Sequence, residues 1–76
     1  MPSDEARILK QLGETVRRLR MAEGFSQIEL AEKADLSHNF VGEIERAEKI
    51  ASVVTVTRLG AALGLKGSEL MARARL

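Results

Sequence analysis

Apolar residues recur at helical spacing along nearly the whole chain. Ile8, Leu12, Val16 and Leu19, with Leu9 beside them, predict a first helix over residues 4–23. Asp4 and Glu5 sit at the positive end of its dipole. Gly13 interrupts the pattern, at a cost of about 1 kcal/mol relative to alanine in a helix interior, and so weakens the expectation of one continuous helix. Gly24 is a natural left-handed stop, after which Phe25 turns into the core.

The next two helices are short. Ser26 followed by Glu29 has the spacing of a capping box, and Ile28, Leu30, Ala31 and Ala34 give the second helix a narrow apolar side. Asp35 and Leu36 interrupt it in a turn of about three residues, and Ser37 is placed to cap a third helix. There Phe40, Val41 and Ile44 share one side, leaving His38, Asn39, Gly42 and Glu43 facing outward. Ser52 is placed to cap a fourth helix, although the β-branched run over residues 53–57 reads as a strand on propensity alone. A lone strand would have no partner in this chain. Val53, Val56, Leu59 and Leu63 continue at helical spacing to a Gly64 stop, so helix is the expectation and these four its core side. Leu65, Leu70 and Ala74 belong with a short fifth helix from about Gly67. The fold class is therefore all-α, five helices in a single domain over residues 1–76.

With that assignment Val54, Ala61 and Leu65 lie on a different face of the C-terminal half, with Arg58 among them and Met71 and Leu76 nearby. A contiguous apolar stripe on a small domain marks an interface, here with a second copy of the chain through residues 52–75. Length points the same way. A chain of 76 residues buries only about 60% of its unfolded surface, a marginal core that association would help.

Composition narrows the chemistry. The chain has no cysteine and one histidine, which excludes disulfides and Cys-based metal sites and leaves little for a metal. No apolar run approaches the ~18 residues that cross a membrane, and the N-terminus is polar, so a soluble cytoplasmic protein without cofactor or small-molecule ligand is expected. The serines and His38 lack the oriented constellation that catalysis needs, which argues against an enzyme. The net charge of +1, from 12 basic and 11 acidic residues, does not by itself point to nucleic acid. Its distribution does more: Arg17, Arg18 and Arg20 cluster late in the first helix and Arg46 and Lys49 after the third, tempered by Glu29, Glu32 and Asp35 in and after the second.

The pattern Ser26-Gln27-x-x-Leu30-Ala31, then Leu36-Ser37-x-x-x-Val41-x-x-Ile44-Glu45-Arg46, resembles the helix-turn-helix of the Cro/repressor-type DNA-binding domains. With Arg20 upstream and Leu59, Leu63, Gly64 and Leu65 downstream, the resemblance covers roughly residues 8–71. It implies a lambda-repressor-like domain, helix-turn-helix at about 26–47, that binds double-stranded DNA as a homodimeric transcriptional regulator of a palindromic operator. Small Cro-type regulators and restriction–modification controller proteins are similar, and no ligand-sensing module is expected. The third helix would read bases through His38, Asn39 and Glu43, with Phe40 against a thymine methyl. Gln27, at a helix start that favours anions, would contact the DNA backbone and brace the recognition helix. Ser37, Arg46, Lys49 and Arg17 complete the expected DNA-facing set. Arg20 and Glu45 would pair structurally. Two departures stand out: Ala47 where glycine is usual and Ala51 where proline is common, so the third helix is expected to run a residue or two longer. The alternative is a protein-interaction module, such as an antitoxin or small helical adaptor, favoured by the near-neutral charge.

Overall fold

The computed structural model describes residues 3–76. It contains α1 (Asp4–Ala22), α2 (Gln27–Lys33), α3 (Phe40–Glu45), α4 (Val53–Ala62) and α5 (Gly67–Arg73), and no strand among the described residues. Side chains open four of these helices, α5 through the Glu69 carboxylate, which accepts from the Lys66 N–H at 3.0 Å. The Ser3 hydroxyl accepts from the Ala6 N–H, Ser26 and Glu29 form the reciprocal capping box, and Ser52 accepts from the Thr55 N–H. The β-branched run is helical as expected, and the Thr57 hydroxyl donates back to the Val53 carbonyl at 2.8 Å.

All five helices close the same way. The residue past the cap turns left-handed, and two N–H groups reach back to carbonyls of the last turn, a Schellman motif. The left-handed residues are Gly24, Asp35, Ala47, Gly64 and Arg75. At α3, Ala47 adopts φ +60°, its N–H donates to Ile44 and that of Glu48 to Glu43. The expected extension of the third helix is therefore corrected: it stops at Glu45, and an alanine takes the strained position a glycine would hold freely.

Leu12, Val16, Leu30, Ala31, Val41, Ile44, Leu59, Leu63 and Leu70 form one core to which all five helices contribute. Phe25 is half-buried against it, with the Lys33 ammonium 4.9 Å over its ring. Gly13 does not break α1. A Cβ there would meet the Ile44 carbonyl oxygen and lie 2.8 Å from that of Glu45, so the glycine is where α1 and α3 touch backbone to backbone.

Several expected faces shift. Ile8 and Ile28 are exposed, and α1 buries Thr15 beside Leu12 and Val16. On α4, Val53 is 83% exposed and Thr55 is buried in its place. The inward row is Thr55, Leu59 and Leu63, four residues apart. Thr55 can occupy it because the Ser52 hydroxyl donates to its oxygen at 3.1 Å. The turn between α2 and α3 spans residues 34–39, longer than expected. Ser37 does not cap α3: Asn39 is the cap residue, already helical in its backbone angles, and the Phe40 N–H donates to the Ser37 carbonyl. Gly42, expected outside, is buried.

Candidate nucleic-acid interface

The end of α3 is tied to α1 and α2 through one carboxylate. Glu45 accepts from Arg20 Nε at 2.7 Å and Nη2 at 3.1 Å, and from Gln27 Nε2 at 3.1 Å. Arg20 Nη1 donates to the Phe25 carbonyl at 2.7 Å, joining the α1–α2 corner to the same cluster. Both charged side chains are withdrawn from water, Arg20 to 12% exposure and Glu45 to 3%. The Glu45 hydrogen bond and charge hold the arginine above its ordinary pKa against the opposing effect of burial. A fork-shaped donor on a planar acceptor fixes orientation as well as distance. The expected pair is therefore present, and Gln27 belongs to it as a brace.

That brace explains Gly42. A Cβ at this position would lie 3.1 Å from Gln27 Oε1 and 3.0 Å from Arg46 Nη1, so a larger residue would press on both side chains that flank the recognition helix.

The remaining DNA-facing candidates divide. Ser37, His38 and Asn39 are exposed in the turn leading into α3, and Arg46 and Lys49 are exposed just after it. Glu43 is half-exposed on α3 itself. Phe40 is half-buried against the core, so only part of its ring is free for a base. Arg17 is exposed on α1, on another element from the rest. Four of these residues have intramolecular partners that spacing did not reveal: His38 Nε2 lies 3.6 Å from Glu32, Arg46 Nε 2.9 Å from Glu48, and Lys49 Nζ 3.9 Å from Glu43, itself a candidate.

The residues expected at a dimer interface are spread over α4, the α4–α5 turn and α5. Val54, Arg58 and Ala61 are exposed along α4, and the Arg58 guanidinium reaches the Asp35 carbonyl at 3.4 Å, toward the α2–α3 turn. Leu65 is half-buried. Met71 instead lines a groove with Ala51, Val53 and Val56 that continues to Ile8, Ile50 and Leu76. Ile50 and Val53, the most exposed large apolar residues of that groove, were absent from the expected set.

Two short helices, the second held to α1 by a buried ion pair and to α2 through Gln27 and presenting polar side chains at its head, define a helix-turn-helix domain of the DNA-binding transcriptional-regulator class. The chain belongs to the helix-turn-helix domain family, which matches residues 11–73. It is similar to the immunity repressor protein of Bacillus phage phi105, with 32% identity over 60 residues. That match takes 79% of this chain and 42% of the repressor, so the chain spans less than half of that relative's length. Among solved structures, the restriction-modification controller protein C.AhdI from Aeromonas hydrophila shares 37% identity with a TM-score of 0.78, covering 82% of this chain and 94% of that one. The clp gene regulator ClgR from Corynebacterium glutamicum shares 28% identity with a TM-score of 0.82, covering 90% and 72%. No helix among the described residues is long and apolar enough to cross a membrane.

Proposed function

We propose that the protein is a repressor- or controller-type regulator that binds a two-fold symmetric operator as a homodimer, one α3 in the major groove per half-site. The observation that carries this is the Arg20–Glu45–Gln27 cluster. It fixes α3 against α1 and α2, so the exposed His38 and Asn39 and the half-exposed Glu43 are presented in one geometry to a groove that admits a helix. Asn39 suits the bidentate contact to adenine and Glu43 suits a cytosine amino group. Arg46, Lys49, Arg17 and Ser37 serve the phosphates, Gln27 sets the register of α3, and no step of this activity requires catalysis or a cofactor.

Selection of duplexes from a random pool, followed by titration on the selected and scrambled sequences, tests the reading. Recovered sites should be palindromic with half-sites about 34 Å apart, one turn of B-DNA. Asn39→Ala should relax preference at one base position and Gln27→Ala should weaken all sequences together. Equal losses on selected and scrambled DNA remove Asn39 from base readout.

A further inference from the structure

Around α3, the cations best placed for phosphate are held by carboxylates of the same chain. Arg46 is gripped by Glu48 in a two-point contact, Nε to Oε2 at 2.9 Å and Nη2 to Oε1 at 3.2 Å. Lys49 lies 3.9 Å from Glu43, and His38, charged when protonated, lies 3.6 Å from Glu32. These are exposed groups: the Arg46 and Glu48 side chains are 57% and 51% accessible, so the contacts add little to stability. Their placement is what matters. The carboxylates come from α2, α3 and the segment after α3, and they meet the cations of the turn before α3 and of its C-terminal end. Among the described residues, the other ion pair at this end is the buried Arg20–Glu45, whose carboxylate is taken up by Arg20 and Gln27.

We propose that Glu48, with Glu43 and Glu32, acts as a built-in phosphate competitor that suppresses non-specific attraction of DNA to the recognition face. This rests on the DNA-binding reading above. A carboxylate and a phosphate oxygen offer a guanidinium the same two-point acceptor geometry, so the backbone must exchange for Glu48 before Arg46 can engage it. The displaced carboxylate stays within the same loop and repels the phosphate that replaced it. Arg46 therefore contributes almost no net charge to counterion release, the effect that supplies nearly all sequence-independent binding. The Arg46 guanidinium is held above its ordinary pKa chiefly by the Glu48 hydrogen bond, and the Glu48 carboxyl below its own by the same contact. Asn39 takes no part in these pairs, so its base contact is not reduced by the competition and the protein leans on it for affinity. A near-neutral net charge of +1 fits that division.

The test compares wild type, Glu48→Gln, and Asp4→Asn on random duplex across about 50–300 mM salt. Asp4→Asn makes the same change in net charge at the far end of α1, about 24 Å along the helix from Arg20. Glu48→Gln should bind random duplex about two- to fivefold more tightly than Asp4→Asn. Its plot of log K against log salt should be steeper by about 0.9, one additional phosphate neutralised. In an Arg46→Gln background the gain from Glu48→Gln should vanish, because the carboxylate acts through that arginine. Glu48→Gln matching Asp4→Asn in affinity and slope, or an undiminished gain without Arg46, overturns the proposal. Failure of all proteins to bind any duplex at about 20 mM salt is a different result, which removes the DNA-binding reading and this inference with it.

Discussion

Glu45 shows how much one side chain carries at the residue scale. It is almost fully buried and accepts three hydrogen bonds, from two helices that precede it by 25 and 18 residues. An exposed ion pair contributes about 0–1 kcal/mol, whereas removing one partner of a buried pair costs about 3–5 kcal/mol because the survivor is left charged and dry. Arg20→Ala and Glu45→Ala should therefore each fall in the higher range, a large fraction of the roughly 5–15 kcal/mol that holds a small domain together. Urea unfolding decides it. Losses below about 0.5 kcal/mol in both variants would show that the pair behaves as a surface contact.

Between elements, the crossing of α1 and α3 depends on a residue that propensity counts against. Alanine at position 13 would favour the isolated helix by about 1 kcal/mol. In the folded protein its methyl would collide with the backbone carbonyls of Ile44 and Glu45, which cannot move aside as a flexible side chain could. Overpacking typically costs about 1–3 kcal/mol and should win. Gly13→Ala is expected to lower stability in denaturant unfolding and, by tilting α3 off the Arg20–Glu45 cluster, to weaken operator binding; a variant as stable as wild type would mean the helices can part without loss. The helix ends carry the complementary lesson. Five Schellman closures share one geometry, yet Asp35, Ala47 and Arg75 hold three of the left-handed positions. Each accepts local strain of about 1–2 kcal/mol to stop its helix where packing requires.

For the whole molecule, the unresolved balance is the apolar groove between the start of α4, the segment before it, α5 and the first turns of α1. Ile50 and Val53, which line it, are exposed by 67% and 83%, unusual for two large apolar residues three positions apart on a small domain. If two copies meet on a two-fold axis here, each substitution acts twice. The double change Ile50→Glu/Val53→Glu should give folded monomers that bind half-sites weakly, since both side chains line the groove and stand mostly in water. Sedimentation at tens of micromolar checks it: a wild-type monomer, or a variant that still dimerises, places the interface elsewhere, the Arg58–Ala61 side of α4 being the next surface to examine.

The amino-acid sequence by itself determined five helices, their order, the capping box at Ser26 and Glu29, the glycine stops at 24 and 64, and the Arg20–Glu45 pairing implied by its likeness to repressor domains. These are legible because they are local or carried by a recurring motif: a cap needs residues three apart, an amphipathic helix needs its period, and left-handed glycine costs nothing. Tertiary structure decided which face of each helix goes inside. Period alone allowed Val53 the core of α4, but the docking of α4 turned Thr55 inward with Ser52 satisfying its hydroxyl and left Val53 in water. It also decided that Ala47 ends α3, that Gly13 is a contact rather than a defect, and that Arg46 meets Glu48 rather than open solvent. Each depends on where a second element lies, and a separation along the chain does not specify an orientation in space.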